Sequence, residues 1–204
     1  MTEAHDATPE PEAAVDLFIE FVNTLEFEDG EPIDHVGDPG RLADWLRSHD
    51  LAGGRLATSR VKRAAPGFRD LRDLTRDVIV RLAEGRDPTD VQTRRLNAVL
   101  RAGLHYHQLR RAGPGARFTV GQVGDDMEQA MAAIAGSLAH YVADHDLRRL
   151  RVCANDGCRW LFVDTSPAGR RRWCDMRTCG NRAKVARHRA RTRSGPPARG
   201  STPG

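Results

Sequence analysis

Long apolar runs are missing from this 204-residue sequence, and that absence removes helical membrane proteins first. The best candidate, residues 130–142, is interrupted by Gly136, Ser137 and His140. It falls short of the roughly 18 apolar residues that a spanning helix needs. The first twelve residues, MTEAHDATPEPE, are acidic and lack an apolar h-region, so no signal peptide is expected there. Aromatics are scarce at 5%, lysine is confined to Lys62 and Lys184, and the first 152 residues contain no cysteine. The catalytic signatures H-E-x-x-H, G-x-S-x-G, the Walker loop and G-x-G-x-x-G are all missing. A metal-dependent nuclease would want carboxylates beside basic residues, and the basic end of the chain offers only Asp156, Asp164 and Asp175. The sequence therefore predicts a non-enzymatic protein of the cytoplasm.

What is present is unevenly distributed. The formal net charge of +4 is a cancellation. Residues 1–147 hold 17 Lys and Arg against 25 Asp and Glu, net −8, whereas residues 148–193 hold 14 against 3, net +11. Such asymmetry points to two units with different partners. The sequence reads as an acidic tail (1–12), a helical domain (13–147), a small cysteine-rich module (148–193) and a polar tail (194–204).

Hydrophobic periodicity places a first helix around Val15, Phe18 and Val22. A loop rich in Gly, Pro and Asp follows from Glu26 to Gly40. Asp38-Pro39 is a cap signal for a short helix with Leu42, Trp45 and Leu46, Pro66 for one with Leu71, Leu74, Val78 and Leu82, and Asp87-Pro88 for one with Val91, Leu96 and Val99. Leu104–Leu109 and Arg117–Val120 flank Gly-Pro-Gly and read as the domain's one β-hairpin. Asp125 or Asp126 then caps a long helix whose Met127 and Met131 read as core. His105 and His107 share a strand face without a visible third ligand, and His140, His145 and His188 read as surface positions. The predicted fold class is mainly α (α+β).

All four cysteines fall within 27 residues, as C-x4-C-x15-C-x4-C: Cys153, Cys158, Cys174 and Cys179. Two close pairs about 15 residues apart match a four-thiolate zinc site, closed and hence structural. Two disulfides are the competing reading, which a chain without a secretion signal disfavours. A module of about 45 residues is near the limit for a core alone, and one metal would supply the missing folding energy. Between the pairs, Arg159–Val163 and Arg170–Trp173 read as a hairpin, and Asp175 as the cap of a helix carrying Cys179. Knuckle, hairpin and helix together predict a treble-clef-like finger.

Beyond Cys179 the sequence is arginine-rich and acid-free through Arg193. Ala183, Ala186 and Ala190 form a narrow stripe suited to packing on the finger. Lys184, Arg187 and Arg191 make one basic ridge, Arg182, Arg189 and Arg193 another, and Arg170, Arg171, Arg172 and Arg177 lie nearby in sequence. A solvated helix face normally mixes signs; one without acids suits a polyanion. Nucleic acid is the expected partner, and charge alone leaves DNA and RNA both open.

The segment Cys153-Ala-Asn-Asp-Gly-Cys158, then Arg170-Arg-Arg-Trp-Cys174, then Cys179-Gly-Asn-Arg182 resembles the CGNR zinc finger over about 40 residues. Phe21-Val-Asn-Thr24 resembles the start of the ABATE domain, which usually precedes that finger. The resemblance implies a bacterial, nucleoid-associated, DNA-binding regulator of stress-induced transcription, with the four cysteines as zinc ligands and Gly180, Asn181 and Arg182 completing the signature. The helical domain would then sense a small-molecule effector or form a homodimer. An RNA-binding module and a protein adaptor docking an acidic partner are the alternatives.

Overall fold

The computed structural model describes residues 11–28, 30–52, 56–111, 113 and 118–193; side chains are described from residue 17 onward, except Ala190, Arg191 and Arg193. Of the expected tails, residues 1–10 and 194–204 lie outside this set, as do most residues of the Gly-Pro-Gly loop, whereas Pro11 and Glu12 belong to the first helix.

Three helices carry the core. In α1 (Pro11–Val22) Phe18, Phe21 and Val22 are fully buried. The long α3 (Thr58–Ala83) buries Val61, Phe68, Leu71, Leu74, Val78, Ile79 and Leu82 at helical spacing, and α5 (Asp126–Asp144) buries Met127, Ile134, Leu138 and Tyr141. Two shorter helices flank them. In α2 (Pro39–Ser48), the Asp38 carboxylate accepts from the N–H groups of Gly40 and Arg41, as the Asp-Pro signal predicts. In α4 (Asp90–Ala102), Thr89 and Gln92 form a capping box, so this helix begins just after Asp87-Pro88. Asp125 caps α5, and the two methionines belong to the core as expected. Among the described residues no helix is long and apolar enough to cross a membrane.

Two local expectations are corrected. Pro66 does not open a helix; it lies inside α3, whose first two turns are held by burial of Val61 and Ala65. Their packing outweighs the backbone hydrogen bond that proline removes. The stretch expected as a loop after Glu26 contains a second hairpin, β1 (Leu25–Glu28) with β2 (Glu31–Asp34). It is pinned by a partner distant in sequence. The buried Arg72 of α3 makes a bidentate pair with Asp34, at 2.5 and 3.0 Å, and its guanidinium holds that carboxyl below the usual range. The Gly-Pro-Gly hairpin forms as expected, from β3 (Tyr106–Arg111) and β4 (Phe118–Val123).

The cysteine module is built into the same core. Its strands β5 (Leu150–Val152) and β6 (Leu161–Val163) pair antiparallel. Leu150 and Leu161 are fully buried among Phe18, Val22, Leu74, Val78 and Tyr141. At about 1.5–3 kcal/mol for each buried leucine, this joint matters on the scale of total stability. Polar contacts fix its register. Leu161 N–H donates to Asn23 Oδ1 (3.0 Å), and Asn23 Nδ2 donates to the Leu161 carbonyl (2.8 Å), both buried. One side chain thus completes the edge of β6 as a neighbouring strand would. Beside it, the Phe27 ring lies 5.5 Å from the guanidinium of Arg76 and 5.2 Å from that of Arg159, and Arg76 Nη2 donates to the Arg159 carbonyl (2.6 Å).

Asn23→Ala should leave the buried N–H and C=O of Leu161 without partners. Denaturant unfolding is expected to show a loss of about 3 kcal/mol. Asn23→Asp keeps the acceptor but loses the donor, and should be at least as damaging.

Candidate metal centre and basic surface

The strands β5 and β6 flank the first cysteine pair. Cys153 N–H donates to the Trp160 carbonyl (2.8 Å) and Cys158 N–H to the Asn155 carbonyl (2.8 Å), which closes the knuckle. Arg159 leaves it with φ +53°, a left-handed conformation costly for a side-chain-bearing residue. Its contacts with Phe27 and Arg76 hold it there. The expected partner of β6 is corrected: residues 170–173 form no strand, and β6 pairs instead with residues preceding the first cysteine. The 170–173 segment still returns to the knuckle, where Ala154 N–H donates to the Arg172 carbonyl (2.7 Å). Three arginines hold the intervening loop. Arg149 donates to the carbonyls of Asp164 and Ser166, Arg151 to that of Gly169 in its left-handed turn, and Arg171 to that of Cys174.

Asp164 is the anchor of this loop. Burial pushes its carboxyl up, but hydrogen bonds from the Ser166 hydroxyl (2.6 Å), Ser166 N–H (3.0 Å) and Arg171 N–H (2.8 Å) hold it at about 2. A depressed carboxylate stabilises the fold above its ordinary pKa near 4 and loses that effect as pH falls through about 2. The stability difference between wild type and Asp164→Asn, followed by thermal melting, should therefore be constant at neutral pH and narrow between about pH 4 and pH 2.

Just after Cys174 comes a wide turn of π type, Met176–Gly180, which carries Cys179 and is capped by Asp175, whose carboxylate accepts from Arg177 N–H. It runs directly into α6 (Asn181–Arg193). All four Sγ atoms lie within 4.8 Å of one another, with Cys158–Cys174 and Cys174–Cys179 both at 3.8 Å, and all four thiols are free. A tetrahedron of Zn–S bonds near 2.3 Å has edges of about 3.8 Å. The cluster therefore fits one zinc ion. The electrostatics agree. Burial, and then the neighbouring thiols, push Cys174 far up, and burial pushes Cys158 up to about 11. Thiols packed this closely ionise together only around a cation. Burial also opposes ionisation of Cys179, but Asn155 Nδ2, 3.4 Å from its Sγ, donates to it and helps carry it the other way. Asn155 was not singled out from sequence; its place in the Asn-Asp-Gly turn between the first two cysteines is the available signal.

Trp160, Trp173 and Phe162 pack around the sulfurs. Zinc removal by a chelator, or Cys174→Ser, should therefore abolish the near-ultraviolet signal of these tryptophans, with most of the far-ultraviolet helix signal retained. A metal assay of freshly purified protein should find one zinc per chain.

The residues expected to meet nucleic acid fall into two groups. Arg171 is half-buried, 5.0 Å over the Phe162 ring, and occupied within the finger. Arg170, Arg172, Arg177, Asn181, Arg182, Lys184, Arg187 and Arg189 are exposed; Asn181 donates to the Arg177 carbonyl (2.9 Å), and Arg172 lies 5.1 Å over Trp173. The side chain of Arg191 is outside the described residues. The alanine stripe does not pack as expected. Ala183 is half-covered, Ala186 is exposed, and the neighbouring Val185 is 48% exposed. With alanine as its main apolar content, this helix has too little surface to dock. Arg177, Thr178, Asn181, Arg182, Val185, Ala186 and Arg189 instead line an open groove. His105 and His107 have ring centroids 6.1 Å apart, and among the described residues no third ligand joins them.

A helical domain with a four-thiolate zinc finger docked into its core is the class of protein that this fold and site define. The CGNR zinc finger model matches residues 149–192. The ABATE model, described as "Putative stress-induced transcription regulator", matches residues 15–145. The chain belongs to the ABATE family and carries a CGNR zinc finger after that domain, in the order the motifs imply. Neither family is an enzyme family. No curated protein matches the chain.

Proposed function

We propose that the protein is a bacterial cytoplasmic transcription regulator in which residues 148–193 bind duplex DNA and residues 13–147 sense an effector or assemble two copies. The observation that carries this reading is α6: a helix with exposed Arg182, Lys184, Arg187 and Arg189, no acidic residue, and little covered surface. An isolated helix of that composition repels itself, and a phosphate backbone relieves the repulsion. Zinc acts as the brace. The turn bearing Cys179 continues directly into α6, so the metal cluster fixes where that helix leaves the body. Arg177, Arg182 and Arg189, around the groove, and Arg187 and Lys184 are the phosphate contacts of this reading.

Affinity for duplex DNA should fall steeply with salt, and Arg187→Ala should reduce the slope of log K against log salt by about one. Association that is undetectable or independent of salt overturns the reading. A competition in which duplex RNA of equal length displaces the DNA reassigns the polyanion to RNA.

A further inference from the structure

The β3–β4 hairpin is almost wholly exposed. Every side chain of β3 is exposed, and in β4 only Gly121 and Val123 are partly covered. Tyr106, Leu109, Phe118 and Val120 are between 56 and 68% exposed, and Leu104, just before the hairpin, is 75% exposed. The strand register places Leu109 opposite Val120 and Arg111 opposite Phe118, so these four share one face, with the Arg111 guanidinium 5.0 Å over the Phe118 ring. At its base the hairpin meets α5, where Gln122 donates to Gln129. Beyond that base it projects as a two-stranded ribbon. Ribbons of this kind are marginal in water on their own and present unpaired strand edges.

Composition says what kind of surface it meets. Tyrosine, phenylalanine, leucine, valine and arginine without lysine or acid is the make-up of the core of a protein–protein interface. Four exposed apolar side chains are a poor match to a phosphate backbone. Charge then selects the partner. Residues 103–124 contain three arginines and no Asp or Glu, whereas the rest of residues 1–147 holds 14 Lys and Arg against 25 Asp and Glu. The hairpin is basic and apolar, the domain that bears it is acidic, and the ribbon projects away from its own domain.

From this complementarity we infer that the β3–β4 hairpin is a dimerisation arm, which reaches across to the acidic helical domain of a second copy of this chain. Two arms exchanged about a twofold axis bury Leu109, Phe118 and Val120 of each copy and set Arg111, on the same face, against the partner's acids. The inference rests on the proposed assembly role of the helical domain. It also gives the regulator two basic helices per particle.

The test is sedimentation of the zinc-loaded full chain over a concentration series, with Leu109→Glu/Val120→Glu as the variant. Wild type should sediment as a dimer. The variant should weaken the dimer by at least about a hundredfold, since each substitution acts twice across the symmetric interface. Its far-ultraviolet spectrum should be that of wild type, because neither side chain supports its own domain. Arg111→Glu should also weaken the dimer and reduce its sensitivity to salt. A dimer that survives both variants overturns the arm while leaving an assembly role elsewhere in the domain intact. A wild-type monomer overturns both. A wild-type monomer whose DNA affinity falls with these variants reassigns the ribbon to nucleic acid.

Discussion

The structure turns on how the side chain of Asn23 meets the backbone of Leu161. It lies where α1 ends and where β6 would otherwise present a bare edge to an apolar interior. A single amide supplies both a donor and an acceptor at the spacing a peptide group needs, so β6 is buried without leaving its polar atoms unpaired. Because β6 can be buried, Leu150 and Leu161 can enter the core formed by α1, α3 and α5. The hairpin that carries the first cysteine pair is thereby oriented by the helical domain. The knuckle, the metal cluster and the exit direction of α6 all follow from that joint.

This arrangement changes what the zinc finger is. Its segment carries 14 basic residues, but they do not form one undivided binding surface. Arg149, Arg151 and Arg171 are spent on carbonyls of the 164–174 loop and Cys174, and Arg159 stacks on Phe27. The exposed cations gather on α6 and the turn before it. Asp164, one of only three acids in the segment, is buried under hydrogen bonds that stitch the same loop. A charge map drawn from sequence counts all these arginines alike. Among the described side chains, Arg149, Arg151 and Arg171 are half-buried and hold the loop together, whereas the seven cations from Arg170 to Arg189 other than Arg171 are exposed.

The elements legible in sequence were those with local causes. Asp38-Pro39 and Asp125 cap the helices they announce, and the Gly-Pro-Gly loop separates two paired strands. The cysteine spacing marked a metal cluster because four thiols in two close pairs have few other uses. What was misread depended on partners far along the chain. The β1–β2 hairpin is fastened by Arg72 of α3. Pro66 is tolerated because the helix around it buries Val61 and Ala65. The pairing of β6 with β5 rather than residues 170–173 follows from burial of Leu150 and Leu161, which periodicity in a three-residue strand cannot signal.

The sequence by itself determined the inventory: a mainly helical acidic domain, four zinc-binding thiols and an acid-free basic helix. Cap residues, cysteine spacing and charge act over a few positions and need no knowledge of the fold. The tertiary structure decided how those parts are joined. It placed the finger's hairpin inside the helical core, set Asn155 against Cys179, and left both α6 and the β3–β4 ribbon exposed. Which apolar side chains find cover, and which arginines find carbonyls, depends on contacts between residues brought together only by the fold, as Asn23 and Leu161 are across 138 positions.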